Sequence, residues 1–278
     1  MPGDLTSPVG YRDARRGTLA AMQVALSIAG SDPTGGAGLQ LDLQVFRALG
    51  LHGAGVPTAL TVQDTRRVHR VLPAFPSVVL DQLRVLLGDL SPAAVKIGML
   101  ATDDVARSVA LGLAGLDGGV PWVIDPVLAA SDGTPLLERR AWPTLEALFP
   151  RAALVTPNRP EAGLLSGEDA SSDAGTEKAA GALLARGARA VLVKGGHREG
   201  TPRDLLAVGR EGGDRLTWLE SERIEVDGVH GTGCALASAI AAGLAHGRPL
   251  EAAVREARAF LHEALTRAAQ ARTPLLHF

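Results

Sequence analysis

From residue 24 onward, short apolar and β-branched runs alternate with stretches of helical period. Val24–Ala29, Gly55–Val62, Val95–Met99, Trp122–Val127, Leu154–Thr156 and Ala190–Lys194 read as strands. Between them, Leu39, Leu43, Phe46 and Gly50 share one helical face, as do Leu80, Leu83, Leu87 and Leu90. Strands alternating with helices predict βαβ units, hence an α/β fold with a mostly parallel central sheet flanked by helices. Gly200–Ile224 is short and turn-rich and predicts an antiparallel hairpin at a sheet edge. An Ala-rich helix is expected from Gly231 to about His246, and a last helix from Leu250 to about Gln270. No internal repeat or linker breaks the pattern, so residues 22–278 are expected to form a single domain.

Composition sharpens this picture. Hydrophobic residues make up 46% of the 278 residues but aromatics only 3%. The core must therefore be built from Ala, Leu and Val, which suits helices packed on a buried parallel sheet. The net charge of −2 comes without a basic stripe, which argues against nucleic acid as a partner. A single cysteine rules out an internal disulfide and fits a reducing, cytoplasmic setting. No apolar run approaches the ~20 residues that would span a bilayer. Residues 1–21 are polar and rich in Pro and Gly, unlike a secretion signal. They read either as a disordered tail or as residues upstream of a true start at Met22.

In sheets of this kind, ligands bind beyond the carboxyl ends of the strands. The segment from Ala29 to Gly38 holds four glycines after a strand and before a helix. Its glycines would let backbone N–H groups approach a ligand, although a tight strand-to-helix turn explains the segment equally well. It is no P-loop, because Leu39 stands where the lysine would be. The segment Asp227–Cys234 runs into the Ala-rich helix. Gly231, Thr232 and Gly233 at a helix start form a nest of N–H donors suited to the charge on a phosphoryl group in flight. Cys234 would sit in the first turn, where the helix field is expected to lower its pKa, and a thiolate there could take a proton from a substrate hydroxyl.

Lysine is rare: Lys96, Lys178 and Lys194 stand against 25 arginines. Two of the three lie at strand ends, where a compact point charge is useful. Lys194, beside Gly195-Gly196-His197, reads as a phosphate contact. Lys96 could equally be functional or a structural ion-pair partner. Asp125 and Glu161 could hold a cation, since Mg²⁺ on a nucleotide needs only one or two carboxylates. Glu161 is also explained as a helix N-terminal acid.

Taken together, Ile28–Gly38, Lys96-Ile97-Gly98-Met99-Leu100, Thr156-Pro157-Asn158-Arg159-Pro160-Glu161, Lys194–His197 and His230-Gly231-Thr232-Gly233-Cys234 resemble the hydroxymethylpyrimidine/phosphomethylpyrimidine kinases of thiamine biosynthesis. The resemblance covers residues 22–278 and extends to the ending Pro274–Phe278. It implies a ribokinase-like fold and two successive ATP- and Mg²⁺-dependent phosphorylations. The first is of 4-amino-5-hydroxymethyl-2-methylpyrimidine, the second of its monophosphate. By this resemblance Cys234 is the base and Gly231, Thr232 and Gly233 form the anion hole. Asn158 and Glu161 organise nucleotide and metal. Gly30, Asp42, Gln63 and Met99 contact substrate. Gln63 can pair bidentately with an aminopyrimidine edge, and Met99 can wall the ring. Asp42 read alone would be a solvated helix residue, and Met99 ordinary core.

Two departures stand out. Gly228-Val229 replace the family's usual Asn-Thr, which puts the second phosphorylation in question. Asp64 stands where an asparagine is common, adding a carboxylate near the pocket. A pyridoxal kinase and a non-catalytic regulator on the same fold are the alternatives, and a homodimer is the family's frequent state.

Overall fold

The computed structural model describes residues 22–196, 201–226 and 228–278. The expectations for residues 1–21, His197 and Asp227 lie outside these described residues. The described chain forms a nine-stranded sheet: β1 (Val24–Ser31), β2 (His52–Gln63), β3 (Val68–Pro73), β4 (Ala94–Ile97), β5 (Trp122–Ile124), β6 (Leu154–Val155), β7 (Ala190–Val193), β8 (Arg203–Val208) and β9 (Arg215–Glu220). Their spatial order is β3-β2-β1-β4-β5-β6-β7-β8-β9. The six strands from β2 to β7 run parallel, while β3 at one end and the β8–β9 hairpin at the other are antiparallel.

The helices are α1 (Gly38–Ala48), α2 (Pro76–Asp89), α3 (Asp103–Leu113), α4 (Trp142–Glu146), α5 (Arg159–Ser166), α6 (Asp173–Ala185), α7 (Thr232–Ala245) and α8 (Leu250–Ala271). Alternate strand residues feed two cores. Leu26, Ile28, Val95, Ile97, Ile124 and Val155 pack with α2, α3, α5 and α6 on one face. Ala25, Ala94, Val123, Leu154 and Ala190 pack with α1, α7 and α8 on the other. The second face is built from small residues because α7 lies close against it. That helix buries Ala235, Ala237, Ala239, Ala241 and Ala242 on nearly all sides, as a helix apolar all round must.

Two details depart from the pattern read along the chain. β3 was not anticipated, because Val68–Pro73 carries His69 and Arg70 and ends in proline. Those are the marks of an exposed edge strand rather than a buried one. The buried face of α1 is Leu41, Asp42, Val45 and Phe46 rather than the stripe through Leu39, Leu43, Phe46 and Gly50. Leu39 and Leu43 instead cover Gly55 and Gly53 of β2, and Gly50 lies beyond the helix with φ 80°.

The rotation of α1 is fixed by Asp42, which is wholly buried. Its Oδ2 accepts hydrogen bonds from Ser27 Oγ on β1 (2.6 Å) and Lys96 Nζ on β4 (2.7 Å). Its Oδ1 accepts from Ser238 Oγ on α7 (2.7 Å). Burial opposes the Lys96 ammonium, but Asp42, with Cys234 and Asp125 nearby, outweighs it and holds the lysine above its ordinary pKa. Asp42 is therefore a pin between sheet and helices. The substrate contact expected of it is corrected: its carboxylate is used up inside the fold and does not face the cleft described below.

Removing one partner of a buried pair leaves the other charge uncompensated. Lys96→Met should therefore cost about 3–5 kcal/mol in urea unfolding. Lys96→Met/Asp42→Asn should cost less than Lys96→Met alone. A double variant no more stable than the single one would show that the charge on Asp42 is not what destabilises it.

Candidate active site

The carboxyl ends of the parallel strands open into a cleft of about 380 Å³. Its lining includes Gly30, Gln63, Met99, Asp125, Asn158, Glu161, Lys194 and the stretch Gly231–Cys234, so eleven of the twelve residues singled out from the sequence meet here; Asp42 does not.

Two glycine-rich turns meet at the cleft. In the β1–α1 turn, Gly38 has φ 59°, and a Cβ there would lie 2.2 Å from the Gly30 carbonyl oxygen. At the start of α7, Gly231 has φ 79°, and a Cβ would lie 2.0 Å from the Gly36 carbonyl oxygen. Only glycine allows these backbones to approach so closely. Asp32 fastens the turns together. It accepts from Thr34 N (2.9 Å) and lies 3.2 Å from His230 Nε2. His230 and Thr34 outweigh the effect of burial and keep the Asp32 carboxyl below its ordinary pKa.

No side chain caps α7. The first N–H groups of a helix have no partner within it, so those of Thr232, Gly233 and Cys234 are left to the cleft, with the positive end of the helix dipole behind them. Beneath them, Lys194 Nζ at the end of β7 donates to Asp125 Oδ1 at the end of β5 (2.6 Å). Thr156 Oγ1 donates to the same oxygen (3.0 Å). Gly233 rests directly on this pair: a Cβ there would lie 2.9 Å from Lys194 Nζ and 3.7 Å from Asp125 Oδ2. Burial works against the Lys194 charge, but Asp125 and Glu161 outweigh it and raise its pKa.

Asn158 and Glu161 form a capping box at the start of α5. Asn158 Oδ1 accepts from Glu161 N (2.8 Å), and Glu161 Oε2 accepts from Asn158 N (2.9 Å). Glu161 Oε1 accepts from Leu128 N (3.2 Å), so both carboxylate oxygens already serve backbone donors. Burial pushes the Glu161 carboxyl up to about 7; Lys194 opposes the rise and Asp125 adds to it. Among the described residues, no cluster of three acidic, His or Cys side chains could cage a metal ion.

Cys234 is half-buried at the cleft, where the Gly38 N–H donates to its sulfur. The expectation of a lowered thiol pKa is reversed. Burial pushes the thiol up, and Lys96 pulls it only part of the way back. Gln63 ends β2 with its Oε1 3.1 Å from Thr61 Oγ1. Met99 is held through its carbonyl by Thr58 Oγ1 (2.5 Å). Its sulfur lies 2.7 Å from where a Cβ on Gly30 would be, so its packing and its place on the wall are one contact. Asp64 is not a loose charge in the pocket. Its Oδ1 accepts from Arg66 N (2.8 Å) and Arg67 N (3.0 Å), and its Oδ2 lies 2.8 Å from His69 Nε2.

One pair escaped the reading of the sequence. Asp204 Oδ1 on β8 accepts from Gly195 N (2.8 Å), and its Oδ2 accepts from Arg258 Nε on α8 (2.9 Å). Arg258 also donates to Leu219 O and Ser221 Oγ, both at 2.6 Å. One guanidinium thus fastens the turn after Lys194 and the chain leaving β9. Nothing in the sequence marks it among 25 arginines.

A doubly flanked parallel sheet with two adjoining glycine turns and an uncapped helix N-terminus over a lysine–carboxylate pair defines a kinase of the ribokinase-like class. The sequence model of the phosphomethylpyrimidine kinase family matches residues 32–274. The chain belongs to that family. It is 45% identical over 262 residues to a hydroxymethylpyrimidine/phosphomethylpyrimidine kinase of Rhizobium meliloti, covering 92% of this chain and 97% of the relative. It is 41% identical to the thiamine biosynthesis bifunctional protein ThiED of Geobacter sulfurreducens, over 86% of this chain and 48% of that protein. The structure of a pyridoxal kinase from Staphylococcus aureus in complex with AMP-PCP and pyridoxal superposes with a TM-score of 0.77 at 32% identity, covering 88% of each chain.

The Glu161 carboxyl gives a test by linkage. Its pKa is raised from 4.5 in the unfolded chain to about 7 in the fold, so the folded protein binds the extra proton. That contribution is fully present below pH 4.5 and is lost as pH rises through 7. Glu161→Gln keeps the capping box and should flatten the fall in unfolding free energy between about pH 4.5 and 7. An unchanged slope would assign the proton to another group.

Proposed function

We propose that residues 22–278 act as one catalytic domain that phosphorylates 4-amino-5-hydroxymethyl-2-methylpyrimidine from ATP and then phosphorylates the monophosphate. The observation that carries this reading is the uncapped start of α7 facing the cleft over Lys194–Asp125, with Gln63 and Met99 across from it. Gln63 pairs with the aminopyrimidine edge, and Met99 and Gly30 bound the ring. The donors around Gly231, Thr232 and Gly233 receive the γ-phosphoryl group, whose negative charge they stabilise without rearranging. The substrate oxygen bonds to the γ-phosphorus as the bond to the bridging oxygen breaks and ADP leaves. The hydroxyl proton passes to Cys234 in its minor thiolate form, which burial disfavours and Lys96 only partly restores. Lys194 and Asn158 border the nucleotide phosphates.

Mg²⁺ would neutralise the nucleotide's phosphates. Asp125 fits it as a contact through water, because its Oδ2 lies on the side of Gly233 while Oδ1 is taken by Lys194 and Thr156. Glu161, with both oxygens on backbone donors, acts by holding Asn158 and Leu128 in place. The same reading puts the enzyme in the cytoplasm, in keeping with one unpaired cysteine, as a homodimer like many of its family.

A pyridoxal kinase is the second reading, favoured by the superposition on the pyridoxal complex. A coupled ADP-release assay with both rings, products resolved by mass, separates the two. The expected result is pyrimidine mono- and diphosphate. Monophosphate alone would trace to Val229, which lines the cleft in place of a hydroxyl residue. Transfer to pyridoxal but not to the pyrimidine would overturn the proposal. Cys234→Ala should lower kcat on the alcohol by about 10²–10⁴ and leave KM nearly unchanged. A change in KM alone would remove Cys234 from the role of base.

A further inference from the structure

The two transfers of the proposed reaction make different demands, and the inference rests on that reading. In the first, the acceptor is a neutral hydroxyl that must lose a proton. In the second, the acceptor is a phosphate monoester, already carrying nearly two negative charges at neutral pH. Its oxygen bonds to the γ-phosphorus, the bond to the bridging oxygen breaks, and ADP leaves with no proton to remove. The second acceptor needs a cation instead of a base.

Most lysines and arginines that line the cleft are already committed. Lys96 is held by Asp42, Lys194 by Asp125 and Arg258 by Asp204. Arg223 is engaged as well. Arg66 and Arg67 differ: both line the cleft, both are exposed, and among the described residues neither side chain takes part in a hydrogen bond or ion pair. The carboxylate nearest in sequence does not neutralise them, because Asp64 is spent on their backbone N–H groups and on His69. That bonding also shapes the turn that carries the guanidiniums. Asp132, from the loop after β5, accepts from Val68 N (3.0 Å) and Thr134 N (2.8 Å), and ties the turn to the opposite wall. The turn begins at Gln63, the residue proposed to hold the ring, whereas Arg258 is bound to Asp204 on β8, towards the other end of the sheet. Two free guanidiniums beside the ring site are suited to a phosphate monoester, which arginine grips with paired N–H donors.

We infer that Arg66 and Arg67 form the binding subsite for the phosphate of the monophosphorylated ring, serving the second transfer and not the first. The two acceptors then depend on opposite residues. Cys234 matters for the alcohol, and the arginine pair matters for the monophosphate.

The test measures steady-state kinetics of the full chain with each acceptor at saturating ATP, for wild type, Cys234→Ala, Arg66→Gln, Arg67→Gln and the double arginine variant. The double variant should raise KM for the monophosphate at least tenfold and leave KM for the alcohol and for ATP within about twofold. Cys234→Ala should slow transfer to the alcohol far more than transfer to the monophosphate. Raising salt from 50 to 300 mM should raise the wild-type KM for the monophosphate and have little effect on that for the alcohol. Equal losses on both acceptors would assign the arginines to ATP or to folding and overturn the inference, as would an unchanged KM for the monophosphate. A wild-type enzyme active on the alcohol but inert on the monophosphate would overturn both the subsite and the two-step reading. Inactivity on both acceptors would overturn the functional reading itself.

Discussion

A charge buried in a protein must have its opposite beside it, and this fold meets that constraint three times along one edge of the sheet. Lys96 meets Asp42, Lys194 meets Asp125, and Arg258 meets Asp204, at 2.7, 2.6 and 2.9 Å. Each pair joins elements far apart in sequence. The first ties β1 and β4 to α1 and α7, the second ties β5 to β7 beneath α7, and the third ties the β8–β9 hairpin to α8. Pairing lets these ions be buried, and the penalty for breaking a pair keeps the strand ends in register with the helices above them.

The same pairing decides where the cleft finds positive charge for phosphate. Lys96 and Lys194 are largely neutralised by their partners, so the uncapped N–H groups of α7 supply much of the fixed field. Those donors reach the cleft because Gly231 and Gly36 pass at a distance no side chain permits, and because Gly233 lets the first turn settle onto Lys194. The fold itself places these donors, which is the condition for electrostatic stabilisation of a transferring phosphoryl group.

Much of this was legible in the sequence, for identifiable reasons. The six parallel strands could be read because a strand covered on both faces is a continuous apolar run. The glycine turns could be read because positive φ and close approach leave few alternatives to glycine. β3 was hidden because an edge strand needs no apolar pattern. Asp42 was misplaced because periodicity counts apolar residues, and a buried aspartate breaks the stripe on its own helix. Asp204 and Arg258 left no trace, since their partnership depends on how the hairpin meets the last helix. Gly231-Thr232-Gly233 puts Cys234 in the first turn of α7, as the structure has it, but its pKa moves opposite to the direction the helix field alone implies. The helix field is visible in the sequence, but the enclosure of the sulfur is a property of the packed structure.

That enclosure allows a direct test of the claim that Cys234 sits where acceptor and nucleotide meet. Because the chain has a single cysteine, alkylation by iodoacetamide, followed by mass spectrometry across a range of pH, reports on it alone. The account predicts slow labelling at neutral pH in the free enzyme, an inflection above the ordinary thiol value, and protection when ADP and the pyrimidine alcohol are bound together. Fast labelling with an inflection at or below pH 7, or labelling indifferent to both ligands, would contradict it.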